Sequence, residues 1–108
     1  MVLDRVELGE AHPGSVFFTC KVPDFTKNAF MVAHGGALTT YVDIATTAAI
    51  YAFDEKRRTN VSAKLDMDFM SAAQIGQEIL IEARVNRIGR SISFSEGRLT
   101  DLKTKYEF

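Results

Sequence analysis

What the chain lacks narrows its class. Cysteine occurs once, at Cys20, which excludes an internal disulfide and a cysteine-built metal cluster. Neither sign of charge is in excess. Lys and Arg number 13 against 14 Asp and Glu, a formal net charge of -1, so nothing global draws the chain to nucleic acid or to an anionic membrane surface. An anionic ligand has to be held locally. No apolar run is long enough to span a bilayer, so no membrane insertion is expected. The opening residues, Met1-Val2-Leu3-Asp4-Arg5, are too charged and too poor in apolar residues for a secretory signal. The expected compartment is therefore reducing: the cytoplasm, or an organelle such as the mitochondrion. No repeat, low-complexity stretch or linker divides the chain, and its 108 residues read as one domain near the small end of the range.

What is present is an ordinary globular composition, 46% hydrophobic and 25% charged. Val2 to Ala11 alternates loosely, His12-Pro13-Gly14 signals a turn, and Ser15 to Val22 reads as the returning strand. Cys20 falls in that alternating run, where a packed strand residue outweighs a nucleophile. Gly35 to about Phe53 reads as one long helix, apolar or small nearly all round and therefore expected to be buried. Asp54-Glu55-Lys56-Arg57-Arg58 is expected to return the chain to solvent. Val61, Ala63, Leu65, Met67 and Phe69 then alternate with polar residues at a period of two, predicting a strand over 61–70. A second alternation runs through Ile79, Ile81, Ala83 and Val85. Gly89-Arg90 suggests a two-residue hairpin, Ser91 to Thr100 a further strand, Asp101 to Thr104 another turn, and Lys105 to Phe108 the bare start of one more strand. The order is β-β-α-β-β-β with a stub, an α+β arrangement of antiparallel sheet and one helix.

Chemistry concentrates around the helix start. His34-Gly35-Gly36 puts two adjacent glycines where backbone N–H groups are free, a natural place to hold developing negative charge. Gly35 has no side chain, so a ligand can approach its N–H closely. Asp43 lies further along the same apolar helix, and a carboxylate there is costly without a partner or a task.

These residues carry a resemblance. Asn28-Ala29-Phe30-Met31-Val32-Ala33-His34-Gly35-Gly36, then Val42-Asp43, then Asn60 to Ser71, with Gly76-Gln77-Glu78-Ile79 and Gly89-Arg90-Ser91, resemble the hotdog-fold acyl-CoA thioesterases, in particular the PaaI-like and thioesterase-superfamily-member-2-like branch. His-Gly-Gly alone is a weak signal. Asparagine six residues before the histidine, aspartate nine after it and serine in the following segment make it specific. The resemblance implies a curved antiparallel sheet wrapped around the central helix, dimers with a joined sheet, and pairing of dimers into tetramers. It implies hydrolysis of fatty (medium- or long-chain) or aryl acyl-CoA without metal or other cofactor. Carried over by position, Asp43 is the general base or nucleophile, and Gly35 donates its N–H to the thioester carbonyl. His34 and Asn28 polarise or position the carbonyl and water, and Ser62 orients the reacting groups. Measured against the family, the single hotdog domain over 1–108 is expected to lack the N-terminal helix and part of the last strand.

Helix geometry adds a constraint. Gly35 and Asp43 are eight residues apart, about 12 Å along a helix rising about 1.5 Å per residue. One carbonyl cannot sit about 3 Å from both. If both serve one thioester they come from different subunits, giving a dimer with shared sites: Asn28, His34 and Gly35 from one chain, Asp43 and Ser62 from the other. Simpler readings stand beside these. His34 can merely cap the helix, Asn28 can be a turn residue, and Asp43 a partly exposed carboxylate. Strict alternation points Ser62 away from the face of Val61 and Ala63. For substrate binding, Gly36 and the guanidinium groups of Arg57, Arg58, Arg87 and Arg90 are candidates for the CoA phosphates, against a plain solvated surface. Competing functions are a non-catalytic acyl-CoA-binding hotdog protein and a hotdog dehydratase or hydratase.

Overall fold

A computed structural model describes residues 1–108. The elements are β1 (Val2–Leu8), β2 (Gly14–Lys21), helix α1 (Gly35–Phe53), β3 (Glu78–Ile88) and β4 (Ser93–Asp101), with one 3-10 turn at Asp24–Thr26. The four strands form one antiparallel sheet in the order β1-β2-β3-β4. The helix lies across one face, mainly on β3 and secondarily on β4 and β2.

Period-two patterning decides which face carries the helix. Ile79, Ile81, Ala83 and Val85 of β3 have no exposed surface, while Glu78, Arg84 and Asn86 at alternate positions face outward. Burying a large aliphatic side chain of this kind contributes about 1.5–3 kcal/mol. The helix answers with Leu38, Val42, Ala45, Thr46 and Ala49, one stripe at helical spacing. Ala45 and Ala49 have no long side chain to hold the helix off the sheet. The approach is tightest at Gly97 of β4, where an added Cβ would stand 2.7 Å from Val42 Cγ1.

The helix is apolar nearly all round, yet only this stripe is buried. Ile44 is 49% and Tyr51 45% exposed, because the sheet covers one side. A second correction concerns 61–70. The alternation is real, but the segment joins no ladder. It runs opposite β4 across a cavity of about 670 Å³, floored by Val42, Thr46 and Ile50 of α1. A strand needs a free edge within hydrogen-bonding distance, about 4.8 Å, and here that edge is out of reach. The β3–β4 connection is also longer than the expected two residues, spanning 89–92. Lys105 to Phe108 forms no strand; it returns beside β4 through the bridge Thr100↔Glu107 and the bonds from the Asp101 N–H to the Tyr106 carbonyl and from the Phe108 N–H to the Leu99 carbonyl.

Two polar devices close the turns. Asp54, expected in solvent, is 5% exposed at the C-cap of α1. Its carboxylate takes the Arg58 guanidinium at 2.9 Å and the backbone N–H groups of Lys56 and Arg58. The Arg58 guanidinium, followed by those N–H groups, keeps the carboxyl below the usual carboxylate range against the opposing effect of burial. Asp101 holds the last turn, accepting the N–H groups of Lys103 and Thr104 and the Gln77 amide. Those bonds, the Thr104 N–H first, lower its pKa to about 2. His12 is half-buried against Gly9, with Nδ1 enclosed and unpartnered.

Two outcomes test this packing. Gly97→Ala drives a methyl into Val42 and should lower stability by about 1–3 kcal/mol in chemical denaturation; an unchanged midpoint would contradict the close approach. Asp101 titrates below its unfolded value, so its contribution to stability is present above about pH 4 and is lost as pH falls toward about 2. Asp101→Asn should therefore be less stable than the parent at pH 7, and the gap should close between about pH 4 and pH 2. A gap that persists at pH 2 would contradict it.

Candidate active site

The loop before α1 is fixed bond by bond. The Thr26 hydroxyl donates to the Pro23 carbonyl at 2.7 Å, the Ala33 N–H to the Ala73 carbonyl at 2.8 Å, and the His34 N–H to the Thr26 carbonyl at 2.7 Å. Asn28 organises the interior of the loop. Its Oδ1 accepts the N–H groups of Phe30 at 2.9 Å and Val32 at 3.3 Å, an Asx-type arrangement, and Met31 takes a left-handed φ of 63°. The Asn28 amide N–H₂ makes no bond within the chain.

His34 is the N-cap of α1, and its Nδ1 accepts the Gly36 N–H at 2.9 Å. An acceptor Nδ1 makes the ring a neutral imidazole with its proton on Nε2. The carbonyl of His34 takes the N–H groups of Ala37 and Leu38. Of the first N–H groups of the helix, that of Gly35 alone is left without an acceptor in the chain. It stands at the positive end of the helix dipole. The Phe69 ring lies over it, 3.4 Å from where a Cβ would be. Gly36 is crowded by the His34 ring, with 3.2 Å from a built Cβ to Nδ1.

Asp43, half-buried two turns along α1, accepts a hydrogen bond from the Ser62 hydroxyl. No Lys, Arg or His pairs with it. The structure thus brings Asp43 and Ser62 of one chain together, and sets Asn28, His34 and Gly35 together at the helix start. Alternation had pointed Ser62 away from the helix; outside a ladder that rule does not bind, and the side chain turns to Asp43.

The four candidate arginines separate into two kinds. Arg57, with φ of 51°, donates to the Tyr51 and Ala52 carbonyls and stacks 5.8 Å above Tyr51, closing the helix C-terminus. Arg58 links Asp54 to the carbonyls of Gly89 and Arg90, at 3.1 and 2.7 Å. The Arg87 and Arg90 side chains are exposed and make no hydrogen bond or ion pair within the chain. Sequence reading missed two neighbours of the site, Phe69 over Gly35 and Asn60 beside the helix. Asn60 Nδ2 donates to the Thr47 carbonyl at 3.3 Å.

The chain is thus an α+β protein in which an antiparallel sheet carries one long helix, with a free N–H at the helix start and a carboxylate without a cationic partner two turns on. The comparisons narrow the class. A family model described as Thioesterase superfamily matches residues 30–107. Human acyl-coenzyme A thioesterase 13 is 34% identical over 103 residues, covering 95% of this chain and 73% of the human protein. The crystal structure of zebrafish thioesterase superfamily member 2 superposes with a TM-score of 0.83 at 35% identity, over 95% of this chain and 74% of that one. The E. coli PaaI protein of the phenylacetic acid degradation operon shares the fold, with a TM-score of 0.77 at 18% identity, over 86% of this chain and 64% of that one. The chain belongs to the thioesterase superfamily, and its sheet and helix are those of the hotdog thioesterase structures.

Proposed function

We propose that this protein hydrolyses acyl-CoA thioesters, of fatty or aryl acids, to free acid and CoA, at sites shared between two subunits. The observation that carries the reading is the pairing of Asp43 with Ser62. A helix carboxylate facing a neutral hydroxyl, with no cation to compensate it, is costly for folding and useful as a base or nucleophile. The named relatives, acyl-coenzyme A thioesterase 13 and thioesterase superfamily member 2, support the substrate class.

In the proposed reaction the thioester carbonyl lies against the Gly35 N–H of one subunit. Charge develops on that oxygen, and a donor already aimed there lowers the barrier; losing one such donor typically costs about a hundredfold or more. Asp43 of the other subunit either takes a proton from the attacking water or attacks the carbonyl itself. Ser62 holds the carboxylate in place. The Asn28 amide N–H₂, free of partners within the chain, is left to position the carbonyl or water, and the neutral His34 fixes the helix start. On the base route the tetrahedral intermediate collapses with loss of CoA thiolate, and the proton held by Asp43 passes to the sulfur; on the nucleophile route loss of CoA thiolate leaves an acyl–Asp43 anhydride, which a water then hydrolyses to free acid. Arg87 and Arg90, with uncommitted guanidinium groups, are the candidates for CoA phosphates.

Support for shared sites comes from the surface. Phe25 and Phe30 are 85% exposed and Val61 is 91% exposed, with Ile44, Phe69 and Met70 also open. Large apolar groups left in water favour association. Of these, Phe69 lies over Gly35 and Val61 is next to Ser62 in the chain.

Thiol release should be measured across short, medium, long and aryl acyl-CoAs. Asp43→Ala should lower kcat by about a thousandfold, within the range for losing a base or nucleophile. Unchanged release would remove Asp43 from the mechanism, and CoA binding without any release would favour the acyl-CoA-binding reading. A second expectation follows from shared sites: mixing Gly35→Val subunits with Asp43→Ala subunits should restore part of the lost rate through hybrid dimers. No regain under conditions of demonstrated subunit exchange rules out sharing.

A further inference from the structure

Residues 59–70 carry Ser62, yet they take part in no backbone–backbone hydrogen bond. Only two hydrogen bonds tie the segment to the rest of the chain: the Asn60 amide to the Thr47 carbonyl, and the Ser62 hydroxyl to Asp43. The Lys64–Asp66 pair is internal to the segment. From the sheet's side the segment faces a cavity, so no ladder sets its register. A register in extended chain is otherwise easily lost, since a slip of one residue reverses every side chain.

The two bonds share one spacing. Asn60 and Ser62 are two residues apart in extended chain, about 7 Å. Thr47 and Asp43 are four residues apart on α1, about 6 Å. The segment therefore runs antiparallel to the helix with Asn60 seated one turn from Ser62. Upstream, the Asp54–Arg58 clasp fixes where the chain leaves the helix, and Asn60 is the next attachment. We infer that Asn60 is a positioning residue: its amide pins the segment to the Thr47 carbonyl and so sets the register that delivers the Ser62 hydroxyl to Asp43. A slip by one residue would offer Val61 or Ala63 to the carboxylate instead, neither of which can donate.

This role rests on the proposal that Asp43 and Ser62 act in thioester hydrolysis, and the test separates the two. Asn60→Ala removes the donor; Asn60→Asp keeps the size and shape but has no N–H to offer a carbonyl. Both should lower kcat about fivefold to tenfold, the scale of one ordinary hydrogen bond. KM should change less than twofold, and the melting temperature should stay within about 2 °C because the segment is mostly exposed. In a Ser62→Ala background, Asn60→Ala should add almost nothing to the loss of kcat. Losses that multiply in the double variant, or a kcat unchanged in either single variant, overturn the role. NMR decides the anchor without any activity: Asn60→Ala should move the backbone amide shifts of residues 61–63 toward random-coil values while those of α1 hold. Native shifts at Ser62 in that variant overturn the inference even if the enzyme is active. If the parent releases no thiol from any acyl-CoA, the thioesterase reading falls, and the NMR result still decides whether Asn60 sets the register.

Discussion

The close seating of α1 on β3 and β4 is the constraint on which the rest of the molecule depends. Small residues make it possible: Ala45 and Ala49 on the helix, Ala83 and Gly97 on the strands. Packing at this density leaves little freedom to slide or rotate. Its rotation sends Asp43 off the buried stripe toward Ser62, and its position sets the Gly35 N–H at the end of a loop already tied by Thr26, Ala33 and His34. The same helix thus supplies a donor at its start and a carboxylate two turns later, at a spacing that packing does not allow to change.

The side of the molecule away from the sheet follows another logic. Between Asp54 and Ala73 the chain has hardly any backbone pairing and relies on side chains. Asp54 and Arg58 clamp the end of the helix to the β3–β4 connection, Asn60 and Ser62 touch the helix, and Phe69 covers Gly35. Each such bond contributes about 1 kcal/mol, far less than a ladder of strand hydrogen bonds contributes together. Both parts of the candidate site therefore border the least strongly held stretch of the chain.

How much of this could be read in advance depended on whether the cause was local. The helix over Gly35–Phe53 was legible, because its cap and its apolar spacing lie within the segment itself. The facing of β3 was legible for the same reason. The 61–70 strand was misread because alternation belongs to one chain segment whereas a ladder needs a second edge, and β4 is too far away. Asp54 was misread because a run of charges resembles a solvated end; its burial depends on the Gly89 and Arg90 carbonyls, which Arg58 reaches more than thirty residues away in sequence. The spacing of Asp54 and Arg58, four apart, was the one local hint. Of the candidate site, the residue identities were visible in the motif. The resemblance implied that Ser62 serves beside Asp43, although strict alternation argued against it, and the side chains do meet.

On the two-subunit reading, assembly and chemistry draw on the same surface. The sheet buries only one stripe of α1, which leaves Ile44 and Tyr51 open on the other side, while Phe30, Val61 and Phe69 stand out around the two half-sites. Leaving such groups in water costs about 25 cal/mol per Å² of apolar surface relative to burial, so a second copy gains most by covering them. The fixed interval between Gly35 and Asp43 then does something a single chain cannot do. Two helices packed antiparallel bring the start of one beside the middle of the other, and the interval that forbids a complete site within one subunit yields two equivalent sites between a pair.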